Sequence, residues 1–292
     1  MSREQRVERE EWSIGEILSN IQSQFSHLSE TPSLDSQVLL AHITDKNRAW
    51  LLAHPEAELN LEQRRVLDDA LLRLEAGEPL PYVLGHWEFF GLDFTITPDT
   101  LIPRPETELM IEQALDWLRK HPSKRQAADV GTGSGCIAIS LAVQIEDLYV
   151  TASDISSEAL QIAQSNAEKH AVSERIDFAQ TDLLPINMRT CDLICTNLPY
   201  IPTETLKQLD VYGREPSLAL DGGSDGLDLI RKLLPRAAQL LAPEGLLLLE
   251  IEITQGLAVL SLAQEHFPNA QTELLPDLAG RDRLIRIETI ST

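Results

Sequence analysis

The spacing of apolar residues divides the chain into a helical part and a part in which strands alternate with helices. Within residues 1–78, apolar side chains recur at helical spacing from Trp12 onward, for example at Leu67 and Leu71. Gly77 and the prolines after it end the last of these short helices. This part predicts a small N-terminal helical domain.

Beyond Gln126 the pattern is typical of an α/β domain. The predicted strands are Ala127–Val130, Tyr149–Ser153, Ile176–Ala179, Asp192–Cys195, Leu246–Ile251 and Arg283–Glu288. The predicted helices are Cys136–Val143, Glu158–Lys169, Leu227–Leu241 and Leu257–His266. The fifth strand begins with four consecutive leucines, which favours a central place, whereas the last is expected at an edge. This alternation predicts a doubly wound, Rossmann-like sheet with helices on both faces.

A segment rich in aromatic residues and prolines joins the two parts. Aromatic residues flank a glycine-containing turn between Trp87 and Ile96, as in a β-hairpin. Three prolines stiffen the chain after the hairpin, and a helix is expected to start near Glu106. We therefore expect a connector over residues 79–105 and the α/β domain over residues 106–292.

Composition and charge narrow the possible functions. Apolar residues make up 43% of the chain and the formal net charge is −22. Proteins that grip phosphates carry a basic face, so we expect no stable nucleic-acid binding; solubility explains the charge more simply. The three cysteines form no Cys-x-x-Cys pair and the seven histidines are scattered, which predicts no metal. Without an apolar leader or spanning run, a cytoplasmic protein away from membranes is expected.

A glycine-rich loop after the first strand of the α/β domain predicts a cofactor site. Residues 129–135 read Asp-Val-Gly-Thr-Gly-Ser-Gly. Glycines let the backbone turn tightly and let a ligand approach, and the helix that follows favours a negative group at its first amides. One Gly-x-Gly alone would fit a structural turn equally well, but three alternating glycines argue against that. The spacing also departs from the Gly-x-Gly-x-x-Gly of nicotinamide enzymes.

Two aspartates after the next strands complete the predicted cofactor site. Asp154 can bind both ribose hydroxyls of an adenosine, a feature shared by dinucleotide and S-adenosylmethionine sites. Asp182 is placed to accept a hydrogen bond from an adenine amino group, although taken alone it is better explained as a loop cap. The candidate cofactor-binding residues are Asp129, Gly131, Thr132, Gly133, Ser134, Gly135, Asp154, Ile155, Asp182, Leu183 and Asn197.

The turn after the fourth strand carries the candidate catalytic and substrate-binding residues Asn197, Leu198, Pro199 and Tyr200. A plain proline turn is the competing explanation. An amide or aromatic amine nitrogen is a poor nucleophile, and two acceptors that hold its hydrogens turn its lone pair towards a methyl donor. The Asn197 side-chain oxygen and the Leu198 carbonyl are the expected acceptors. Pro199 fixes the turn, and the Tyr200 ring stacks on the planar group. This chemistry needs positioning rather than a strong base.

Several segments together give a specific resemblance. They are Leu101–Glu108, Asp129–Gly135, Glu215–Leu227, Glu78–Tyr82 and Asp277–Arg283. They resemble the release factor glutamine methyltransferases, the family once called HemK. The resemblance implies an S-adenosylmethionine-dependent enzyme that methylates N5 of the glutamine in the Gly-Gly-Gln motif of class 1 peptide-chain release factors. It also implies that the N-terminal helical domain helps to hold the release factor and that Arg104 lies near the substrate.

Two positions depart from the family pattern, and other functions stay open. Leu198 replaces the first proline of Asn-Pro-Pro-Tyr, and Glu252 replaces the glycine of Glu-Ile-Gly. Neither change removes a reacting group. An adenine-N6 methyltransferase acting on DNA or RNA, which uses a similar turn, is one alternative. A glutamine methyltransferase acting on a ribosomal protein is another, and a cofactor-binding scaffold without catalysis is a third.

Overall fold

The chain folds as two compact units, each with its own core. The computed structural model describes residues 12–26 and 29–290. The first unit ends at Gly85 and the second begins at His86. Across the residues described, no helix is both long and apolar enough to cross a membrane.

Short helices make up the first unit, as the sequence predicts. They are α1 Ile14–Phe25, α2 Pro32–Thr44, α3 Arg48–Ala53, α4 Leu61–Glu75 and α5 Leu80–Leu84. Ser13 and Asn60 start α1 and α4 with capping boxes, in which side chains and backbone amides satisfy each other. One face of each long helix is buried, so apolar burial rather than helix propensity holds the bundle together.

The first unit continues past the domain boundary expected at residue 78. Helix α5 lies in the predicted connector but packs against α2 and α4. The Arg73 guanidinium on α4 pairs with Glu78 at 2.5 Å and donates to the carbonyl oxygens of Tyr82 and Val83 at 3.0 and 3.2 Å. These bonds hold the segment after α4 in the unit, and proline spacing alone does not reveal them.

The second unit opens with the predicted hairpin, formed by β1 His86–Phe89 and β2 Leu92–Thr95. Phe90 and Gly91 at its tip both have positive φ, 51° and 73°, as a two-residue hairpin turn requires. A short 3₁₀ turn, Pro105–Thr107, then leads into helix α6, Glu108–Lys120. The helix thus begins close to its predicted start.

A mixed sheet forms the core of the second unit and confirms the predicted fold class. Its strands are β3 Gln126–Val130, β4 Tyr149–Asp154, β5 Ile176–Gln180, β6 Cys191–Thr196, β7 Leu241–Glu250, β8 Gln271–Pro276 and β9 Asp282–Glu288. The helices around it are α7 Cys136–Gln144, α8 Ser157–Lys169, α9 Thr203–Leu206, α10 Asp228–Leu240 and α11 Gly256–His266. The strand order is β5-β4-β3-β6-β7-β9-β8, and the first five strands in this order are parallel to one another.

The prediction that the last strand lies at an edge is wrong. Strand β9 lies between β7 and β8 and is antiparallel to both. Leu284, Ile285 and Ile287 are buried, as expected for an inner strand. The edge strand is β8, which the sequence analysis missed. Its sequence, Gln-Thr-Glu-Leu-Leu-Pro, is half polar and mostly solvent-accessible, so it carries almost no apolar pattern.

Candidate active site

The glycine loop connects β3 to α7 and brings its backbone to the carboxyl edge of the sheet. Gly131, Gly133 and Gly135 have φ values of 73°, 55° and 83°, a region that other residues rarely adopt. The amide of Gly131 donates to the Ser153 carbonyl at 2.8 Å. A Cβ at Gly135 would lie 2.8 Å from the Ile139 side chain. Glycine is therefore required both for the turn and for the packing of the following helix.

Asp129 shapes this loop from below. It is buried, and its Oδ2 accepts hydrogen bonds from the Thr132 hydroxyl at 2.6 Å and the Ala138 amide at 3.1 Å. Burial raises the pKa of the Asp129 carboxyl to about 7. Thr132 and Ser134 are also buried. These three predicted cofactor residues, like Gly135, support the loop and do not line the cavity above it.

A cavity of about 290 Å³ opens at the carboxyl ends of the parallel strands, where α/β sheets bind ligands. The predicted site residues that line it are Gly131, Gly133, Asp154, Ile155, Asp182, Leu183, Asn197, Leu198 and Pro199. The structure thus brings the glycine loop, both aspartates and most of the turn after β6 to one place. Tyr200 and Arg104 do not line the cavity.

Other lining residues were not predicted. Two groups of them come from separate segments, Pro98 to Leu101 from one and Pro216, Leu218 and Ala219 from another. All but Pro98, Asp99 and Thr100 lie within segments that carry the family resemblance, which was the available signal. The remaining unpredicted lining residues are Ser156, Glu158, Ala159, Thr181 and Leu229, for which the sequence offers no motif.

An ion pair joins the segment that follows Pro98 to the segment that precedes Pro216. The Arg104 guanidinium lies 2.5 Å from Glu215 Oε1, and Glu215 Oε2 accepts a hydrogen bond from the Ile102 amide at 3.2 Å. The Glu215 side chain is 5% exposed and that of Arg104 is 33% exposed. Arg104 anchors the segment after Pro98 to the segment before Pro216, and its contact with the substrate stays a prediction. We call this contact the Arg104–Glu215 clasp.

Asn197 is oriented by a buried group of hydrogen bonds. Its Nδ2 donates to the Thr107 hydroxyl at 3.1 Å, and Thr107 donates to Glu250 Oε2 at 2.7 Å. Thr107 and Glu250 are both about 2% exposed. Burial raises the pKa of Glu250, while the Thr107 hydrogen bond and the charge of Arg283 oppose that rise. Neither Thr107 nor Glu250 was among the predicted site residues.

Tyr200 is not a lining residue of the cavity and belongs to the same hydrogen-bonded group. Its hydroxyl donates to Glu250 Oε1 at 3.3 Å, and burial raises the pKa of the phenol above its ordinary value. The Tyr200 carbonyl accepts from the Gln255 side chain at 2.8 Å. Stacking of Tyr200 on a planar substrate stays a prediction, because its ring lies outside the residues that line the cavity.

Both acceptors expected for a substrate amide are available. Among the residues that the structure describes, none donates to Asn197 Oδ1 or to the Leu198 carbonyl oxygen. The Leu198 side chain is buried against the glycine loop, where a Cβ at Gly131 would lie 3.2 Å from it. Leucine in place of the family's proline therefore packs on the loop and keeps its carbonyl free.

The cavity fits the adenosine part of S-adenosylmethionine. Asp154 Oδ2 and Oδ1 accept from the amides of Gly133 and Ser156, both at 2.9 Å, which fixes the carboxylate and leaves lone pairs for ribose hydroxyls. Within the described part of the chain, no residue other than the two sequence neighbours has an atom within 4 Å of a Cβ built at Gly133, so a ligand can approach the backbone there. Leu183 and Leu198 add apolar walls.

The sheet order, the glycine loop and the Asn-Leu-Pro-Tyr turn define an S-adenosylmethionine-dependent methyltransferase. The N-terminal domain of human METTL16, solved in complex with SAH, aligns with a TM-score of 0.52 at 18% identity, over 87% of this chain and 94% of that chain. This likeness shows the shared fold. A family model for the methyltransferase small domain matches residues 107–212, and one for the PrmC N-terminal domain matches residues 16–85.

Curated relatives identify the family. The release factor glutamine methyltransferase of Moorella thermoacetica is 46% identical over 256 residues, covering 87% of this chain and 90% of the relative. That of Coxiella burnetii is 38% identical over 273 residues, covering 94% and 98%. The chain belongs to the release factor glutamine methyltransferase family, and its methyl donor is S-adenosylmethionine.

Proposed function

We propose that this enzyme transfers a methyl group to the side-chain N5 of the glutamine in the Gly-Gly-Gln motif of class 1 peptide-chain release factors. Family membership supports the class of reaction. The observation that carries the substrate chemistry is the pair of free acceptors at the cavity, Asn197 Oδ1 and the Leu198 carbonyl. A primary amide has two N–H groups, and this pair can accept both.

Two acceptors solve the main chemical difficulty of the reaction. The nitrogen lone pair of an amide is delocalised into the carbonyl group, which makes it a weak nucleophile. When the two acceptors bind both hydrogens of the amide nitrogen, its lone pair points towards the methyl donor. Bound S-adenosylmethionine supplies an electrophilic methyl group on a positively charged sulfur.

Asn197 and Leu198 contribute most in the transition state. As the glutamine nitrogen gains positive character, its N–H groups become stronger donors, so bonds to the two oxygens strengthen. The surplus proton on the methylated nitrogen is strongly acidic and passes to water. Positioning and local electrostatics are therefore sufficient, and no strong base is needed.

We further propose that the N-terminal helical unit binds the release factor. Three apolar side chains on it, Leu52, Leu61 and Val66, are 59%, 72% and 43% exposed. Singly exposed apolar side chains are common on protein surfaces, so the proposal rests on the family resemblance of this unit and not on these residues alone.

The test is methyl transfer to an intact release factor, measured by mass spectrometry with an isotopically labelled donor. We expect one methyl group on the Gly-Gly-Gln glutamine and none on a release factor in which asparagine replaces that glutamine. Asn197→Ala should lower turnover by roughly a hundredfold or more while cofactor affinity changes little. Equal labelling of the asparagine variant, or preferential labelling of duplex DNA or of a ribosomal protein, would overturn the assignment.

A further inference from the structure

We propose that Thr107 and Glu250 are positioning residues that fix which end of the Asn197 amide faces the cavity. The proposal rests on the proposed function, since it concerns the acceptor for the substrate amide. Thr107 ends the 3₁₀ turn before α6, and Glu250 ends β7. Neither lines the cavity. Thr107 contacts Asn197 directly, and Glu250 acts on Asn197 through Thr107.

The two ends of an asparagine amide have nearly the same size, so the shape of a pocket cannot choose between them. Only hydrogen bonding distinguishes the oxygen, which accepts, from the NH₂ group, which donates. The orientation matters for this enzyme. With its oxygen towards the cavity Asn197 accepts from the N–H of a substrate amide, whereas with its NH₂ group there it would oppose that N–H with another donor.

A count of hydrogens along the contacts gives a single orientation. The Thr107 hydroxyl donates its one hydrogen to Glu250 Oε2 at 2.7 Å, and an ionised Glu250 carboxylate can only accept. The Thr107 oxygen must then accept its next bond, which comes from Asn197 at 3.1 Å. The Asn197 NH₂ group therefore faces Thr107, and Oδ1 is left to the cavity.

Hydrogen bonds from two hydroxyl groups define Glu250 as an acceptor. The Tyr200 hydroxyl donates to its second oxygen at 3.3 Å, so both carboxyl oxygens receive a hydrogen. Burial raises the pKa of Glu250 and Glu106 adds to that rise, whereas the two hydrogen bonds and the positive charge of Arg283 favour the ionised form. Arg283 is itself held by Asp277 at 3.6 Å. The Asp277–Arg283 segment does not line the cavity, but through the charge of Arg283 it affects the protonation of Glu250.

The decisive comparison is Thr107→Val with Thr107→Ser. Valine matches threonine in shape but cannot accept from Asn197, whereas serine keeps the hydroxyl and loses only a methyl group. We expect Thr107→Val to lower kcat roughly tenfold, the effect of about one hydrogen bond, with cofactor affinity within about twofold of wild type. Thr107→Ser should recover most of that loss.

A measurement without substrate separates this proposal from the proposed function. The Asn197 side-chain NH₂ signal, assigned in a nitrogen-15 NMR spectrum by its loss in Asn197→Ala, reports the bond to Thr107. One of its two hydrogens should exchange slowly with solvent in wild type and in Thr107→Ser, and rapidly in Thr107→Val. Failure of the wild type to methylate a release factor would contradict the proposed function and leave this result in force.

Three outcomes would overturn the positioning role. They are equal exchange in wild type and Thr107→Val, a loss of kcat in Thr107→Ser as large as in Thr107→Val, and unchanged kcat in Thr107→Val. If Thr107→Val does not fold, the exchange rates of the Asn197 hydrogens in the wild type decide the question. Rapid exchange of both Asn197 hydrogens in the folded wild type, at the rate of an exposed asparagine, contradicts the orientation.

Discussion

Two aspartates at the ends of neighbouring strands have different surroundings and different roles. Asp154 lies at the cavity, and backbone amides bind both of its oxygens. Asp129 is buried beneath the glycine loop, and its Oδ1 has no partner among the described residues. A carboxylate without solvent or a counter-charge favours its neutral form. The residue type that suits a ribose in one position therefore serves the loop in the other.

Asp129 should make stability depend on pH. The pKa of the Asp129 carboxyl in the folded protein is about 7, against 3.8 for an ordinary aspartate. Between these two values the folded state holds a proton that the unfolded state has released. The contribution of Asp129 to the unfolding free energy is therefore fully present below about pH 4 and is lost as the pH rises towards 7. The slope approaches about 1.4 kcal/mol per pH unit within that window. Asp129→Asn should remove this part of the slope.

Urea denaturation of wild type and Asp129→Asn at about pH 5 and about pH 8 measures the effect. The unfolding free energy of wild type should fall more between the two conditions than that of the variant. Parallel pH dependence in the two proteins would mean that Asp129 stays ionised in the folded state.

At the scale of elements, the Arg104–Glu215 clasp joins two segments that are adjacent in sequence to lining residues of the cavity. We expect Arg104→Met to lower the unfolding free energy by roughly 2 kcal/mol, because it strands a buried carboxylate. Glu215→Gln should cost less, since glutamine still accepts from the Ile102 amide and buries no charge. Both variants should raise KM for the release factor more than they lower kcat.

Chemical denaturation and steady-state kinetics with the intact release factor test this order. Lys120→Met is a matched control, because it removes an exposed cation paired with Asp116, where little stability is at stake. Equal stability of Arg104→Met and Glu215→Gln, or an unchanged KM in both, contradicts a structural role for the clasp at the cavity.

Elements with a strong local pattern could be predicted from the sequence, and those defined by distant partners could not. The apolar run within β7 and the glycine loop after β3 carry their own periodicity or backbone requirement, so both were found. Strand β8 is half polar and is recognisable only from its pairing with β9. The same holds for the site, where the turn after β6 was predicted but Thr107 and Glu250 were not. Their role comes from hydrogen bonds between residues 90 and 143 positions apart.

At the scale of the molecule, the division at Gly85 predicts a separation of labour. A fragment of residues 86–292 contains the whole cavity, the clasp and the residues that orient Asn197. It should fold and bind S-adenosylmethionine with an affinity close to that of the full chain. If residues 12–85 hold the release factor, the fragment should methylate it with a KM raised at least about tenfold.

Calorimetry of cofactor binding and kinetics with an intact release factor compare the fragment with the full chain. A short peptide that contains Gly-Gly-Gln is the matched control, because it lacks the rest of the release factor and should be methylated equally by both. A fragment that modifies the intact factor as efficiently as the full chain assigns the helical unit a different role.

The hydrogen bond between Thr107 and Glu250 also constrains how this sequence can diverge. The two residues lie 143 positions apart, yet loss of either leaves the other buried with an unsatisfied polar group. A substitution that removes the polar group at one position is therefore harmful until the other position changes as well. During evolution the two positions should change as a pair, through rare joint replacements, whereas exposed residues on either side of them drift independently.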